Sequence, residues 1–253
     1  MKSTGETGTV YLVGAGPGAP DLLTVRAVKL LGDAEIVFHD ALVPQEILLL
    51  ASRAKKIAVG KRSGRRSTAQ RFINKRLADA ARVHRVVVRL KGGDPMLFGR
   101  AHEEIAYLSE KNIPVEIVPG ITAALAASAD LRISLTRRGT ARSVTFVTPR
   151  VGEGERPSSW IDAVMAADTA AIYMGAGEAQ AIADALLAAG KLGSTPVAVV
   201  ANASLPEVRV HFGTLQNLGR LAEAVAGQAA LILLGDAYAE AAQVFERKAS
   251  QAA

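Results

Sequence analysis

Short apolar runs recur along the first half of the chain, and the stretches between most of them have helical spacing of apolar residues. The runs predict strands at 9–13, 35–38, 56–59, 86–90 and 115–118. Because these runs are continuous rather than alternating, both faces of each strand are expected to be buried, as in a parallel or mixed sheet between helices. The first half is therefore predicted to be α/β.

The same alternation starts again after residue 136. Strands are predicted at 143–148, 169–174, 196–200, 208–212 and 230–234, and helices at 178–189 and 214–226. A short polar loop with proline joins two of these strands, which is typical of an antiparallel hairpin. The second half is therefore predicted to be α/β with some antiparallel pairing. We place the domains at 1–135 and 136–253.

Composition narrows the class of protein. A chain of 253 residues with 49% hydrophobic content can form one or two globular domains. Apolar runs stay below the roughly 18 residues that a membrane span needs, and the first residues lack a signal-peptide core, so a soluble cytoplasmic protein is expected. The absence of cysteine excludes disulfides and thiolate catalysis, and the four histidines lack zincin spacing, so we expect no metal site.

The charge indicates an anionic partner. The formal net charge is +6 and the pI is about 9.7, with many of the arginines and lysines between 53 and 100. Such a field attracts nucleic acid, phosphorylated metabolites or a polycarboxylate. Only 4% of the residues are aromatic, which leaves few rings to stack on bases. A small acidic substrate, rather than nucleic acid, is the simpler expectation.

Residues 14–19, Gly-Ala-Gly-Pro-Gly-Ala, follow the first predicted strand and match a dinucleotide-binding loop. Asp40 ends the second predicted strand, where such a protein places the acid that binds ribose. Pro17 and Pro20, however, cannot donate the N–H groups that bind a pyrophosphate. The motif therefore leaves an NAD or FAD oxidoreductase open beside another nucleoside ligand.

A second glycine pair lies at the end of the fourth predicted strand, where residues 89–95 read Arg-Leu-Lys-Gly-Gly-Asp-Pro. Gly92 and Gly93 allow the backbone to contact a flat ligand, and Asp94 can accept hydrogen bonds from an amine or ribose hydroxyls. Alone, the segment is equally typical of a tight turn that an aspartate caps.

Further short motifs occur in a fixed order around this segment. They are Asp40-Ala-Leu-Val, Val59-Gly-Lys-Arg, Leu97-Phe-Gly-Arg followed by Glu103-Glu104, Val118-Pro-Gly-Ile-Thr-Ala, Leu135-Thr-Arg-Arg and Tyr173-Met-Gly. From about residue 10 to 234 the chain resembles the uroporphyrinogen-III C-methyltransferases of the tetrapyrrole methylase family. The resemblance implies two α/β domains with S-adenosylmethionine in the cleft between them, and a homodimer. It also implies methylation of uroporphyrinogen III at C2 and C7 to give precorrin-2 and S-adenosylhomocysteine, at the branch towards sirohaem and cobalamin.

The resemblance assigns roles to individual residues. Asp40 would accept a proton and Lys61 would donate one, although a turn residue and a surface charge are the plain alternatives. Cofactor contacts would come from Pro17, Gly92, Gly93, Asp94, Leu97, Thr122, Ala123, Met174 and Ala203. The carboxylates of the substrate suit arginine's rigid fork. The candidates are Arg62, Arg65, Arg66, Arg100, Arg137 and Arg138.

The chain departs from the family pattern at His39, at Ala101-His102, at Arg137, at Pro149-Arg150 and at 202–204. These departures fall near the substrate side, so a related precorrin remains an alternative substrate. A basic RNA-binding or regulatory protein on a methylase fold is the non-catalytic alternative. The length predicts a protein without the dehydrogenase and chelatase module that sirohaem synthases carry.

Overall fold

A computed structural model of the protein describes residues 7–59, 70–152, 156 and 158–241. The chain forms two compact units that divide between Thr122 and Ala123, earlier than the boundary predicted at 135. The division lies there because helix α5 (Ala123–Leu131) and Leu135 belong to the second hydrophobic core. Alanines of α5 are buried in that core, so the segment up to residue 135 belongs with the second unit.

The first unit contains a five-stranded sheet in the order β3-β2-β4-β1-β5, and every pair is parallel. Its strands are β1 (Thr9–Gly14), β2 (Ile36–His39), β3 (Lys55–Ala58), β4 (Val86–Lys91) and β5 (Val115–Val118). Its helices are α1 (Val25–Asp33), α2 (Gln45–Leu49), α3 (Gln70–Ala81) and α4 (Ala101–Glu110). The five strands predicted from the apolar runs are therefore all present.

Each face of this sheet has its own core. Val13, Val37 and Leu90 lie in the core that includes residues of α1 and α2, and Leu12 and Phe38 lie in the core with α3 and α4. This arrangement explains the continuous apolar runs, since neighbouring side chains of one strand point to opposite faces of the sheet and both faces are buried. Within the described parts of the chain, no helix combines the length and the apolar character that a membrane span requires.

The second unit contains a mixed sheet in the order β6-β7-β10-β8-β9. Its strands are β6 (Val144–Val147), β7 (Thr169–Ile172), β8 (Pro196–Ala201), β9 (Arg209–Thr214) and β10 (Ala230–Gly235). β8 and β9 form the predicted antiparallel hairpin, whereas β6 and β7 are parallel. Besides α5, the helices are α6 (Trp160–Ala166), α7 (Ala179–Ala188) and α8 (Leu218–Glu223). The helix predicted at 214–226 is shorter, because a 3₁₀ turn at Leu215–Asn217 precedes α8.

The alanine-rich α5 packs on one face of the second sheet together with Tyr238, which is fully buried. Burial raises the pKa of the Tyr238 phenol well above its ordinary value. Its hydroxyl has no hydrogen-bond partner among the described residues. The ring therefore contributes by packing alone.

Candidate active site

The five strands of the first sheet are parallel, so their carboxyl ends lie along one edge. Ligands of open α/β sheets bind outside this edge. The structure brings several of the sequence-predicted residues there: Pro17 after β1, Asp40 after β2, Gly92, Gly93, Asp94 and Leu97 after β4, and Thr122 after β5. The carboxyl edge is thus the candidate site of the first unit.

The glycine-rich loop after β1 is paired with the loop after β4 rather than left open. Gly16 and Gly93 exchange two backbone hydrogen bonds, of 3.2 Å and 2.7 Å, and the N–H of Ala15 donates to the carbonyl of Lys91 at 2.7 Å. Those amides are therefore not available to a pyrophosphate. In addition, β4 lies between β1 and β2, unlike the dinucleotide-binding order in which β1 and β2 are neighbours. The oxidoreductase alternative loses its structural basis.

Three glycines at this edge pack backbone against backbone. A Cβ on Gly120 would lie 2.3 Å from the carbonyl oxygen of Gly93 and 2.9 Å from the Cα of Gly14. The Asp94 carboxylate joins the same loops, because it accepts hydrogen bonds from the N–H of Met96 at 2.7 Å and of Gly120 at 2.9 Å. A carboxylate has about four acceptor positions, so Asp94 retains capacity for a ligand.

We expect Gly120→Ala to weaken binding of the cofactor that the sequence resemblance implies, because its methyl group displaces the Gly93 carbonyl and with it the loop after β4. The expected effect is a loss of about tenfold in affinity for S-adenosylhomocysteine, measured by calorimetry, with a loss of stability of about 1–3 kcal/mol. Gly32→Ala is the matched control, since a Cβ on this α1 residue meets no atom of the described chain within 4 Å. An affinity for Gly120→Ala equal to that of the control would contradict the prediction.

A buried charged network lies beneath the carboxyl edge, on the face covered by α3 and α4. Arg89 and Lys91 of β4 point to this face, and Glu104 of α4 is completely buried between them. Glu104 accepts hydrogen bonds from Arg89 Nε at 3.0 Å and from Lys91 Nζ at 2.9 Å. Gln70 of α3 also donates to Glu104, at 3.1 Å. One carboxylate thus holds both cations of the strand.

The network reaches the surface at Asp40. Arg89 Nη2 donates to Asp40 Oδ1 at 2.5 Å, and the Asp40 side chain is 29% exposed whereas that of Arg89 is 4% exposed. Burial lowers the pKa of the Lys91 ammonium below its ordinary value, and the neighbouring Arg89 guanidinium lowers it further, while Glu104 acts in the opposite direction. Asp40 therefore exposes a carboxylate to solvent, and the buried ion-pair network beneath it holds that carboxylate in place.

Arg89, Lys91 and Glu104 have no role predicted from the sequence, although all three belong to the motifs described above. The available signal was the pair of cations at alternate positions of an otherwise apolar strand. Such residues share one face of a sheet. A buried cation requires a counter-ion, so the pattern predicts a buried acid on the covering helix.

The second unit supplies the other predicted cofactor residues. Met174 directly follows Tyr173 after β7; it has a left-handed φ of 56°, and 47% of the residue is exposed. Ala123 begins α5, and Ala203 is buried in the loop between β8 and β9, next to Ser204 with φ of 70°. Both loops therefore have backbone conformations that most side chains disfavour.

The predicted substrate arginines differ in their surroundings. Arg100 is exposed, directly precedes α4 and pairs with Glu103 through contacts of 2.6 Å and 2.8 Å. Arg137 is exposed and pairs with Glu240 at 2.8 Å, and Arg138 is exposed beside it. Lys61, Arg62, Arg65 and Arg66 lie outside the described residues.

Comparison with known proteins defines the class. The family model of the tetrapyrrole (corrin/porphyrin) methylases matches residues 9–219, which is most of the chain. The chain therefore belongs to the tetrapyrrole methylases.

Two curated relatives are siroheme synthases. The protein from Saccharophagus degradans is 42% identical over 236 residues, which is 92% of this chain and 52% of that protein. The protein from Pseudomonas fluorescens is 44% identical over 232 residues, which is 91% of this chain and 50% of that protein. The chain thus spans about half the length of these relatives.

Solved structures agree in fold over almost their whole length. A uroporphyrin-III C-methyl transferase from Thermus thermophilus, in complex with S-adenyl homocysteine, has a TM-score of 0.79 and 39% identity, and the match covers 91% of this chain and 98% of that one. A cobalt precorrin-4 methyltransferase also has a TM-score of 0.79, at 28% identity, over 90% of this chain and 95% of that one. The fold expected from the resemblance, two α/β units each built on its own sheet, is confirmed.

Proposed function

We propose that this protein transfers methyl groups from S-adenosylmethionine to C2 and C7 of uroporphyrinogen III, giving precorrin-2. The observation that carries the proposal is the Asp40 carboxylate, held by Arg89 at the carboxyl edge that also bears the Gly92-Gly93-Asp94 loop. The similarity to the Thermus thermophilus enzyme supports this substrate. Because the siroheme synthases are about twice as long, the proposal is limited to the methyl-transfer step.

The loop after β4 suits an adenosyl cofactor. Gly92 is half-buried, and among the described residues a Cβ there would approach only Leu42, at 3.5 Å and beyond, so little of that part of the chain covers the backbone. Asp94 retains acceptor capacity for ribose hydroxyls or the ammonium group. When bound, the cofactor supplies an electrophilic methyl group on a sulfonium. The expected contacts are Pro17, Gly92, Gly93, Asp94, Leu97, Thr122, Ala123, Met174 and Ala203.

The protein's remaining task is to align the reactants and to move protons. The pyrrole carbon forms the new carbon–carbon bond with its own π electrons, while the carbon–sulfur bond breaks and its electron pair stays on sulfur. The ring must then lose a proton, and Asp40 is the proposed acceptor. Lys61 is the proposed proton donor.

The substrate carries carboxylates around its ring, which explains the positive charge of the protein. Arg100 and Arg137 present exposed guanidinium groups that are paired with Glu103 and Glu240. Exchange of such an exposed pair for a substrate carboxylate costs little, since exposed ion pairs contribute only about 0–1 kcal/mol. Arg62, Arg65, Arg66 and Arg138 are the other proposed ligands.

We expect anaerobic incubation with uroporphyrinogen III and S-adenosylmethionine to add two methyl groups. The absorption spectrum and the mass of the oxidised product measure this result, and reactions without the cofactor are the control. If S-adenosylhomocysteine binds but no methyl group is transferred, uroporphyrinogen III is not the substrate. The departures at His39, Ala101, Arg137 and Pro149 would then favour a related precorrin.

Two finer expectations follow from the family resemblance. We expect a homodimer, which light scattering on the purified protein measures, and a cytoplasmic location. The formation of precorrin-2 would place the enzyme before the branch to sirohaem or cobalamin.

A further inference from the structure

Helix α5 is attached to two distant loops of the second unit. The backbone N–H of Ala124 donates to the hydroxyl of Tyr173 at 3.1 Å, and the Asp130 carboxylate accepts a hydrogen bond from the N–H of Ser204 at 2.7 Å. Tyr173 directly precedes Met174, and Ser204 directly follows Ala203. One helix is thus tied to both loops that carry predicted cofactor contacts of this unit.

The bond at the start of the helix meets a need of the backbone. The first N–H groups of an α-helix have no partner within the helix. Ala124 is completely buried, which restricts the access of water to its N–H. Removal of the Tyr173 hydroxyl would leave a buried donor without its acceptor, which is more costly than the loss of an exposed hydrogen bond.

The loop after β7 depends on the same side chain. Met174 has a left-handed φ of 56°, a conformation that persists only where the surrounding structure holds it. Tyr173 is attached at several points: its N–H donates to the Val147 carbonyl at 2.8 Å, its ring packs edge-on against Phe146 at 6.1 Å, and its hydroxyl accepts from Ala124. The N–H bond and the ring contact fix Tyr173 on the sheet, and the hydroxyl links it to α5.

We infer that Tyr173 and Asp130 are positioning residues for the cofactor. Tyr173 holds Met174 in a fixed position relative to Ala123, and Asp130 holds Ala203 in a fixed position relative to α5. The inference rests on the proposed function and extends it to residues without a direct role in binding. Both hydrogen bonds are made within the protein, so they restrict the loops that carry the proposed cofactor contacts. Such preorganisation increases affinity without adding a contact.

The test compares two tyrosines of the same core. Tyr173→Phe removes the hydroxyl that accepts from Ala124, and we expect S-adenosylhomocysteine to bind roughly three- to tenfold more weakly in calorimetry. KM for S-adenosylmethionine should rise by a similar factor, with a smaller change in kcat. Tyr238→Phe is the matched control, because its buried hydroxyl has no hydrogen-bond partner among the described residues. This control should bind as the parent protein does.

Asp130→Ala tests the second attachment, and it keeps the inference falsifiable if Tyr173→Phe does not fold. We expect the same split, in which KM rises more than kcat falls. Parental affinity in both variants would overturn the inference and leave the proposed function intact. An equal loss in Tyr173→Phe and Tyr238→Phe would also overturn it, since general loosening of the core would then explain the result. A parent protein that does not bind S-adenosylhomocysteine overturns the proposed function and the inference together.

Discussion

Glu104→Gln is expected to destabilise the protein by about 3–5 kcal/mol, the usual cost of breaking a buried ion pair from one side. Glu104 is completely buried and accepts hydrogen bonds from both Arg89 and Lys91. The glutamine keeps the shape of the side chain but leaves two buried cations for which Asp40 is the remaining ion-pair partner among the described residues. Urea unfolding at neutral pH measures the free energy.

Glu103→Gln is the matched control for this change, one residue earlier on the same helix. Its side chain is 43% exposed and pairs with Arg100, which is 57% exposed, so the expected loss is below about 1 kcal/mol. Adding Lys91→Met to Glu104→Gln should recover part of the stability, because it removes one uncompensated cation. If Glu104→Gln unfolds with the same free energy as Glu103→Gln, the network does not have the proposed energetic role.

Asp40→Asn is expected to lower kcat by roughly 10²- to 10⁴-fold, the usual contribution of a general base. The amide oxygen of asparagine can still accept the hydrogen bond that Arg89 donates to Asp40. The substitution therefore removes the proposed proton acceptor with little change in geometry. Rates of methyl transfer to uroporphyrinogen III measure the effect, and calorimetry should give an unchanged affinity for S-adenosylhomocysteine.

Asp168→Asn is the control for removal of a carboxylate. Asp168 lies in the second unit, where its carboxylate accepts hydrogen bonds from the N–H groups of Arg142 and Ser143. These contacts lower the pKa of the Asp168 carboxyl, but they involve none of the proposed site residues. Its kcat should equal that of the parent. The general-base role of Asp40 is wrong if Asp40→Asn retains more than a tenth of the parental kcat.

The strands could be predicted from sequence because each is a local pattern. Apolar runs revealed all ten strands of the two sheets, and a short polar loop revealed the β8–β9 hairpin. The boundary at Thr122 could not be found in this way, because the alanines of α5 carry no sign of which sheet they cover. Only the packing of α5 against the second sheet decides it.

The hydrogen bonds that hold the candidate site in place were harder to predict from the sequence than the loops of the site. The glycine pair at 92–93 and the strand-end Asp40 stand out in the sequence, since glycine and acids at strand ends are local signals. The hydrogen bond between Tyr173 and Ala124 joins residues 49 apart, and that between Arg89 and Asp40 also spans 49. No periodicity encodes such pairings, because they depend on how the strands are ordered in space.

The strand order of the first sheet has a consequence for synthesis on the ribosome. β1 pairs only with β4 and β5 in this sheet, and β5 ends at Val118. β1 ends at Gly14 and β4 ends at Lys91, so the apolar side chains of β1 wait for their first partner strand until 77 further residues have been translated. Long-range parallel pairing of this kind is intrinsically slow and prone to aggregation. The nascent first unit is accordingly where we expect chaperones to bind this chain.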